Sequence, residues 1–279
     1  MVALRDFFSR YTYAALALSF FCIAVVPVPA SNASSGEPRL QIGLSSKAAP
    51  YVIDFVAQKG LEIEILNMAF AKMGFAADYL DMPLNRHRRV WQQTKLDAIS
   101  AWNIAEGLEC HQSLPYRHWR DALFVAANPE NPKPHTPSNL QSSRIGIFRG
   151  ALKALPELAD ENWDFQQVSE VSTLESAVRM LENGRLDAFV GDHTGISYFL
   201  QQPQERNTGG YRVSPIKFYR SLPQFLCFRD AAHAKAFDTA ISGLLADPAE
   251  PLASIPRKYG IEAHFLLPFD PNNPTPQQP

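Results

Sequence analysis

The sequence is poor in the groups that would mark a metal centre, a catalytic nucleophile or a polyanion-binding face. It holds three cysteines and seven histidines in 279 residues. The histidines, His87, His111, His118 and His193 among them, are scattered, with no His-Glu-x-x-His pair and no Cys-x-x-Cys spacing to hold a metal. No Gly-x-Ser-x-Gly elbow is present to present a serine nucleophile. The formal net charge is −2, which provides no electrostatic footprint for nucleic acid. Neither a cofactor nor a metal is expected, and the chain reads as a non-enzyme.

Long apolar runs are also missing, apart from one at the start. Arg5 and Arg10 form a positive leader, residues 14–26 are apolar, and small residues follow at Ala30 and Ala33. That order is expected of a secretory signal peptide, here 1–30, and the run is shorter than the roughly 20 residues a membrane span needs. Phe21 precedes Cys22 where a lipid-attachment site wants a small residue. Losing Arg5, Asp6 and Arg10 removes a net +1 and takes the charge from −2 to −3. Cys110 and Cys227 remain, in a compartment that permits disulfides. They are either bridged, closing a loop worth about 4 kcal/mol in the chain-entropy picture, or two buried thiols.

What the sequence does have is alternation. Strands are predicted over 40–44, 75–80, 97–101, 122–126, 144–148, 188–191 and 225–228, and helices over 61–73, 85–93, 174–183, 195–201, 231–245 and 252–259. This is the order of an α/β protein with largely parallel sheets. Ser172 is the expected N-cap of the 174–183 helix, because Glu175 then completes a capping box, and Gly184 is its stop. Residues 128–139 carry Pro129, Pro132, Pro134 and Pro137 and read as an extended connector between two blocks. The proline-rich end, 270–279, reads as a disordered tail.

The two blocks echo one another. Arg89 to Trp102 reads RVWQQTKLDAISAW and Arg179 to Asp192 reads RMLENGRLDAFVGD, identical at four of fourteen positions. Ile42-Gly43-Leu44 and Ile145-Gly146-Ile147 form a second, weaker match. Equivalent halves set Trp102 and Asp192 at the same place in each, just past the C-terminal end of a strand, where open α/β sheets bind ligands. A ring facing a carboxylate suits a small polar or cationic molecule.

Several short segments, in order, are similar to the periplasmic solute-binding proteins of family 3, which serve amino-acid uptake. They are Pro50-Tyr51, Gly60-Leu61-Glu62-Ile63-Glu64, Leu96-Asp97-Ala98-Ile99, Ser113-Leu114-Pro115-Tyr116, Arg144-Ile145-Gly146-Ile147 with Arg149-Gly150, Leu186-Asp187-Ala188 leading to Asp192, and Ile255-Pro256-Arg257-Lys258-Tyr259-Gly260. The resemblance implies a two-lobed periplasmic-binding-protein (type II) fold with two hinge crossovers. Lobe 1 would comprise 37–126 and 216–269, lobe 2 would comprise 127–215, and Cys110 and Cys227 would share lobe 1, as a disulfide requires. It further implies a monomer in the periplasm that captures a small polar or amino-acid-like ligand for an ABC-type permease. A protein reporting to a membrane sensor is the first alternative, and a dehydratase-like catalyst the second.

Residue by residue, Asp192 matches the lobe-2 carboxylate that accepts from a ligand's amino group, though an aspartate there also serves as a helix N-cap. Tyr51 and Trp102 are candidates for an aromatic clamp, with Asn103 beside the second. Arg149 would grip a carboxylate at two points, and Gly150 would offer a backbone N–H. The family's carboxylate-binding Arg is absent from Asn103-Ile104-Ala105-Glu106-Gly107-Leu108-Glu109, and Ala151 stands where a small hydroxyl is usual. Either Arg86 or Arg149 substitutes, or the ligand is not an ordinary α-amino acid.

Overall fold

The computed structural model describes residues 37–44, 49–82, 87–101, 108–128, 130, 136–161, 163–164, 167–202, 210–249 and 251–263. The chain runs β1 (Arg39–Leu44), α1 (Leu61–Lys72), β2 (Ala76–Asp81), α2 (His87–Gln93), β3 (Ala98–Ala101), β4 (His111–Gln112), β5 (Arg117–Ala127), β6 (Ile145–Phe148), α3 (Ala151–Ala154), β7 (Val168–Val171), α4 (Leu174–Glu182), β8 (Ala188–Asp192), α5 (His193–Gln201), β9 (Arg212–Phe228), α6 (Ala231–Leu245) and α7 (Pro251–Lys258). Among the described residues no helix is long and apolar enough to cross a membrane.

The strands form two half-sheets of the same design. One runs β2-β1-β3-β9, with β4 also on β9, and the other runs β7-β6-β8-β5. In each, the first three strands are parallel and the last is antiparallel to its neighbour. The sequence echo explains why. Ile42 pairs with Ala98 and Ile145 with Ala188, so the two Leu-Asp-Ala turns enter the same register. Asp97 donates its N–H to the Gln41 carbonyl and Asp187 to that of Arg144, both at 2.9 Å. Their carboxylates accept from the N–H of the same partners, at 2.7 and 2.8 Å. The leucine of each turn lies over a glycine: an added Cβ at Gly43 would stand 2.6 Å from Met82 Cε and 3.1 Å from Leu96 Cδ1, and one at Gly146 would stand 2.7 Å from Leu186 Cδ1.

Each half-sheet buries both faces. Ile42, Leu44, Ile63, Leu66, Phe70 and Phe237 pack one side of the first, where α1, α6 and α7 lie, and Met82, Trp91, Leu96, Ile99 and Cys227 pack the other. In the second, Leu123, Val125, Ile145 and Val190 face one cluster, while Ala122, Phe124, Ala126 and Phe189 face another with α4 and α5. Alternate residues of β5 thus feed opposite faces of the second half from Ala122 onward, as the period of two in a strand requires.

Between the half-sheets, residues 117–120 of β5 and 221–224 of β9 pair only with each other among the described strands. This two-stranded ribbon joins the halves, and its register slips between Arg120 and Ala122. Both strands are longer than expected from sequence, because only their apolar ends, 122–126 and 225–228, carry a hydrophobic signal. The α4 helix corrects one expectation: its N-cap is Thr173, whose hydroxyl accepts from the Ser176 N–H at 3.1 Å, rather than Ser172. The hydroxyl closest to the open N–H groups takes the cap, and Glu175 instead pairs with Arg179 one turn on. Gly184 follows the helix with φ of 61°, as a terminating glycine does.

Cys110 and Cys227 are disulfide-bonded, with Cα atoms 5.6 Å apart across 117 residues of sequence. The bond ties the chain just before β4 to the end of β9. Reduction, or Cys110→Ser, is expected to lower the unfolding free energy by about 2–5 kcal/mol. Urea denaturation with and without reductant measures this, and an unchanged midpoint would show that the tether contributes nothing.

Candidate functional site

The two halves meet at a buried polar cluster beside the ribbon. Tyr51 enters it from the first half. Its loop is held by the start of α1, where the N–H groups of Leu61 and Glu62 donate to the carbonyls of Pro50 and Tyr51 at 2.9 and 3.0 Å. Gly60, at φ of 142°, makes that approach possible, since a Cβ there would lie 2.4 Å from the Tyr51 carbonyl oxygen. Asp192 enters from the second half. It ends β8 and caps α5, accepting from the Gly195 N–H at 2.6 Å with one carboxylate oxygen. The other oxygen accepts from the Tyr51 hydroxyl at 2.9 Å. Both residues are only 1% exposed, so this contact between halves is sealed from water.

The ribbon supplies the rest. Arg117, Trp119 and Asp121 alternate along β5 and share one face of it. Trp119 stacks on the Tyr51 ring at 5.2 Å and 19°, and the Arg117 guanidinium carbon lies 4.3 Å from that ring's centre. Arg117 donates through Nη2 to the Glu62 carboxylate at 2.9 Å, and the Tyr116 hydroxyl donates to the same carboxylate. Arg117 Nε and Nη1 are buried with no hydrogen-bond partner among the described residues, and the ring of Tyr51 is what faces the cation instead. Asp121 sits directly opposite Asp192 in the β5–β8 register and accepts from Trp119 Nε1 at 3.3 Å.

The electrostatics follow from burial. Asp121 is pushed up to about 7, first by desolvation and then by the charge of Asp192. Asp192 is pushed up to about 6 by desolvation, while the Gly195 N–H, the Tyr51 hydroxyl and the Arg117 charge pull it partly back. Burial, then Asp192, raises the Tyr51 phenol well above its ordinary value, so it stays a donor. Burial works against the charge of Arg117, but Glu62, Tyr116 and Tyr51 outweigh it and the guanidinium stays protonated.

Of the residues expected at a ligand site, Tyr51 and Asp192 are brought together. The Tyr51 ring is engaged inside the protein, by Trp119 and Arg117. Arg149 lies elsewhere, 82% exposed and 3.7 Å from Glu170, and the Gly150 N–H donates to the same glutamate at 3.3 Å. Arg86, Trp102 and Asn103 lie outside the described residues. A recess of about 300 Å³ between the β1–β2 edge and α2, lined by Leu80, Met82, Val90 and Lys95, contains none of the cluster's groups. Sequence reasoning missed Glu62, Arg117, Trp119 and Asp121. The alternation of Arg117, Trp119 and Asp121 after Tyr116 was the available signal, obscured because charged residues do not announce a strand.

No family model matches the chain, and no characterised protein matches it in sequence. Solved structures do match, and the class they define is the two-lobed periplasmic-binding-protein fold. The periplasmic binding protein of an arginine transport system from Legionella pneumophila aligns over 80% of this chain and 100% of its own, at 18% identity and a TM-score of 0.59. The L-cystine solute receptor of Neisseria gonorrhoeae, in its unliganded open conformation, covers 81% of this chain and 94% of its own, at 14% identity and a TM-score of 0.59. A histidine kinase sensor domain with similarity to periplasmic binding proteins covers 81% and 98%, at 16% identity and a TM-score of 0.58.

Arg117→Met leaves the Glu62 carboxylate buried without its cation and is expected to lower the unfolding free energy by about 3–5 kcal/mol. Adding Glu62→Gln should restore part of the loss. A double-mutant cycle in urea checks this, and simple additivity would show that the pair is not coupled.

Proposed function

We propose that the protein is a periplasmic solute-binding protein, captures a small polar or amino-acid-like ligand between its two lobes, and delivers it to an ABC-type permease. The observation that carries this reading is the meeting of Tyr51 and Asp192. A carboxylate at the C-terminal end of a second-half strand faces a group from the first half, across two halves joined by a two-stranded ribbon. In this reading the hinge lies in β5 and β9, bending where residues 117–120 pair with 221–224. A ligand's amino or other donor group takes the place of the Tyr51 hydroxyl on Asp192, and contacts made only in the closed form shift the population toward closure. Arg149, exposed beside Glu170, is the candidate grip for an anionic end of the ligand, with Arg86 and Asn103 as further candidates. The protein acts as a monomer and performs no chemistry on what it binds.

A sensing role is the second reading. The likeness to a kinase sensor domain supports it, as does the fact that the halves already meet through Tyr51 and Asp192. A protein that closes without a ligand has a default state to report.

A thermal-shift screen of the protein against amino acids, amines, small acids and sugars tests ligand capture, because a molecule that binds only the native state raises its melting temperature by mass action. For a hit bearing an ammonium group, Asp192→Asn should weaken binding by about 1.5–3 kcal/mol, the worth of a charged hydrogen bond. Calorimetry measures it, and unchanged affinity would remove Asp192 from the ligand site. No hit across the panel would count against solute capture.

A further inference from the structure

The place between the halves where Asp192 finds its partner is filled by a side chain of the protein itself. The Tyr51 ring lies against two groups of β5, stacked on Trp119 at 5.2 Å and 19° and with the Arg117 guanidinium carbon 4.3 Å from its centre. Its hydroxyl reaches across to donate to Asp192 at 2.9 Å. One phenol, itself buried, therefore occupies both a platform for a flat ring and a buried hydrogen-bond acceptor. One demand of the surroundings is left unmet. Arg117 is 4% exposed and its Nη2 is committed to Glu62, but Nε and Nη1 are buried with no hydrogen-bond partner among the described residues. A ring face attracts the cation but offers those N–H groups no lone pair. A buried donor without an acceptor is costly, so Tyr51 fills this niche without satisfying it.

We propose that Tyr51 is a tethered stand-in for the ligand, and that the ligand is a small aromatic compound that takes the place of the whole Tyr51 side chain, with a hydrogen-bond donor for Asp192 and an oxygen acceptor for Arg117. This rests on the reading of the protein as a solute-binding protein, and names the class of solute. The Trp119 face and the Arg117 guanidinium select a ring. Asp192, a buried carboxyl at the far end of the phenol, selects a hydroxyl or an ammonium. The free N–H groups of Arg117 give such a compound an advantage over Tyr51, because an oxygen beside its ring supplies the acceptor that Tyr51 lacks. Tyr51 in turn sharpens the choice. Its contacts must be given up by anything that binds, so a molecule able to replace only some of them is disfavoured. An aliphatic amine replaces the hydrogen bond to Asp192 and leaves Trp119 and Arg117 without a ring.

Calorimetric titration with tyramine, and with isopentylamine as an amine of similar reach without a ring, tests the proposal. Tyramine should bind about tenfold more tightly, the combined worth of the ring–ring and cation–ring contacts. Trp119→Leu should remove most of that preference. Octopamine and tyrosine add an oxygen beside the ring, and at least one of them should bind about fivefold more tightly than tyramine, the worth of one hydrogen bond. Tyr51→Ala empties the niche and should raise the affinity for tyramine about tenfold or more, the worth of the hydrogen bond from Tyr51 to a charged group. Should that variant fail to fold, Tyr51→Leu, which keeps apolar volume but has neither ring nor hydroxyl, should show the same direction. Weaker tyramine binding by a folded Tyr51 variant would make Tyr51 a wall of the site and overturn its role as a stand-in, and equal affinity for tyramine and isopentylamine would overturn the aromatic class. The outcome separates from that of solute capture itself. Saturable binding of aliphatic compounds with none of ring compounds removes the aromatic niche and leaves capture standing, while no binding in either series counts against capture.

Discussion

The hydrogen bond from Tyr51 to Asp192 is the interaction around which the rest of the site is arranged. It joins two halves whose covalent and sheet continuity is limited to β5 and β9, and it does so where no water competes. Its neighbours hold one of its partners or balance its charge, except Asp121, which sets a second carboxyl opposite Asp192. The start of α1 fixes the Tyr51 backbone, Trp119 and Arg117 pack on its ring, Glu62 neutralises Arg117, and the first turn of α5 orients Asp192. A hydrogen bond to a buried charged group is worth more than one at the surface, and leaving either partner unmatched costs more still. In the proposed function, that asymmetry suits the contact to exchange for a ligand rather than to simple loss.

Much of the architecture was legible because it is repeated. The Leu-Asp-Ala turns at 96–98 and 186–188, and the glycines at 43 and 146, announce the same local packing twice. The structure shows them making the same backbone hydrogen bonds in both halves. Helices with an apolar stripe and an end signal were also readable: α6 runs Ala231–Leu245, the span its pattern indicates, behind an Asp230 cap. What escaped was polar. The middle of β5 and most of β9 are strands because they pair with each other, not because their residues alternate apolar and polar toward a core. The prolines at 128–139 signal a connector, while from Ala122 onward β5 already packs within the second half. The site was half legible for the same reason. Asp192 follows a recognisable strand, but Arg117 and Asp121 become functional candidates only when folding places them beside Tyr51 and Asp192.

The likenesses to solved structures are broad in coverage and low in identity, and they speak to fold. Proteins of this architecture include a transport component and a kinase sensor domain. One scaffold thus serves both roles, and fold alone assigns neither to a chain.

The path of the chain has a consequence for how the molecule is made. The strand that ends the ribbon, β9, returns to complete the first half-sheet, and α6 and α7 then cover its core with Phe237, Ile241, Leu252 and Ile255. The second half is therefore one continuous stretch inserted within the first. As the polypeptide emerges from its N-terminal end, the inserted half has all its strands once the first part of β9, residues 212–218, has paired with β5, whereas the first half still waits for the rest of β9, α6 and α7. Domains tend to fold as units in order of synthesis, so here the middle of the protein is complete before its beginning. The early segments carrying β1 to β4, with their large apolar faces, must stay unaggregated until the last two helices arrive.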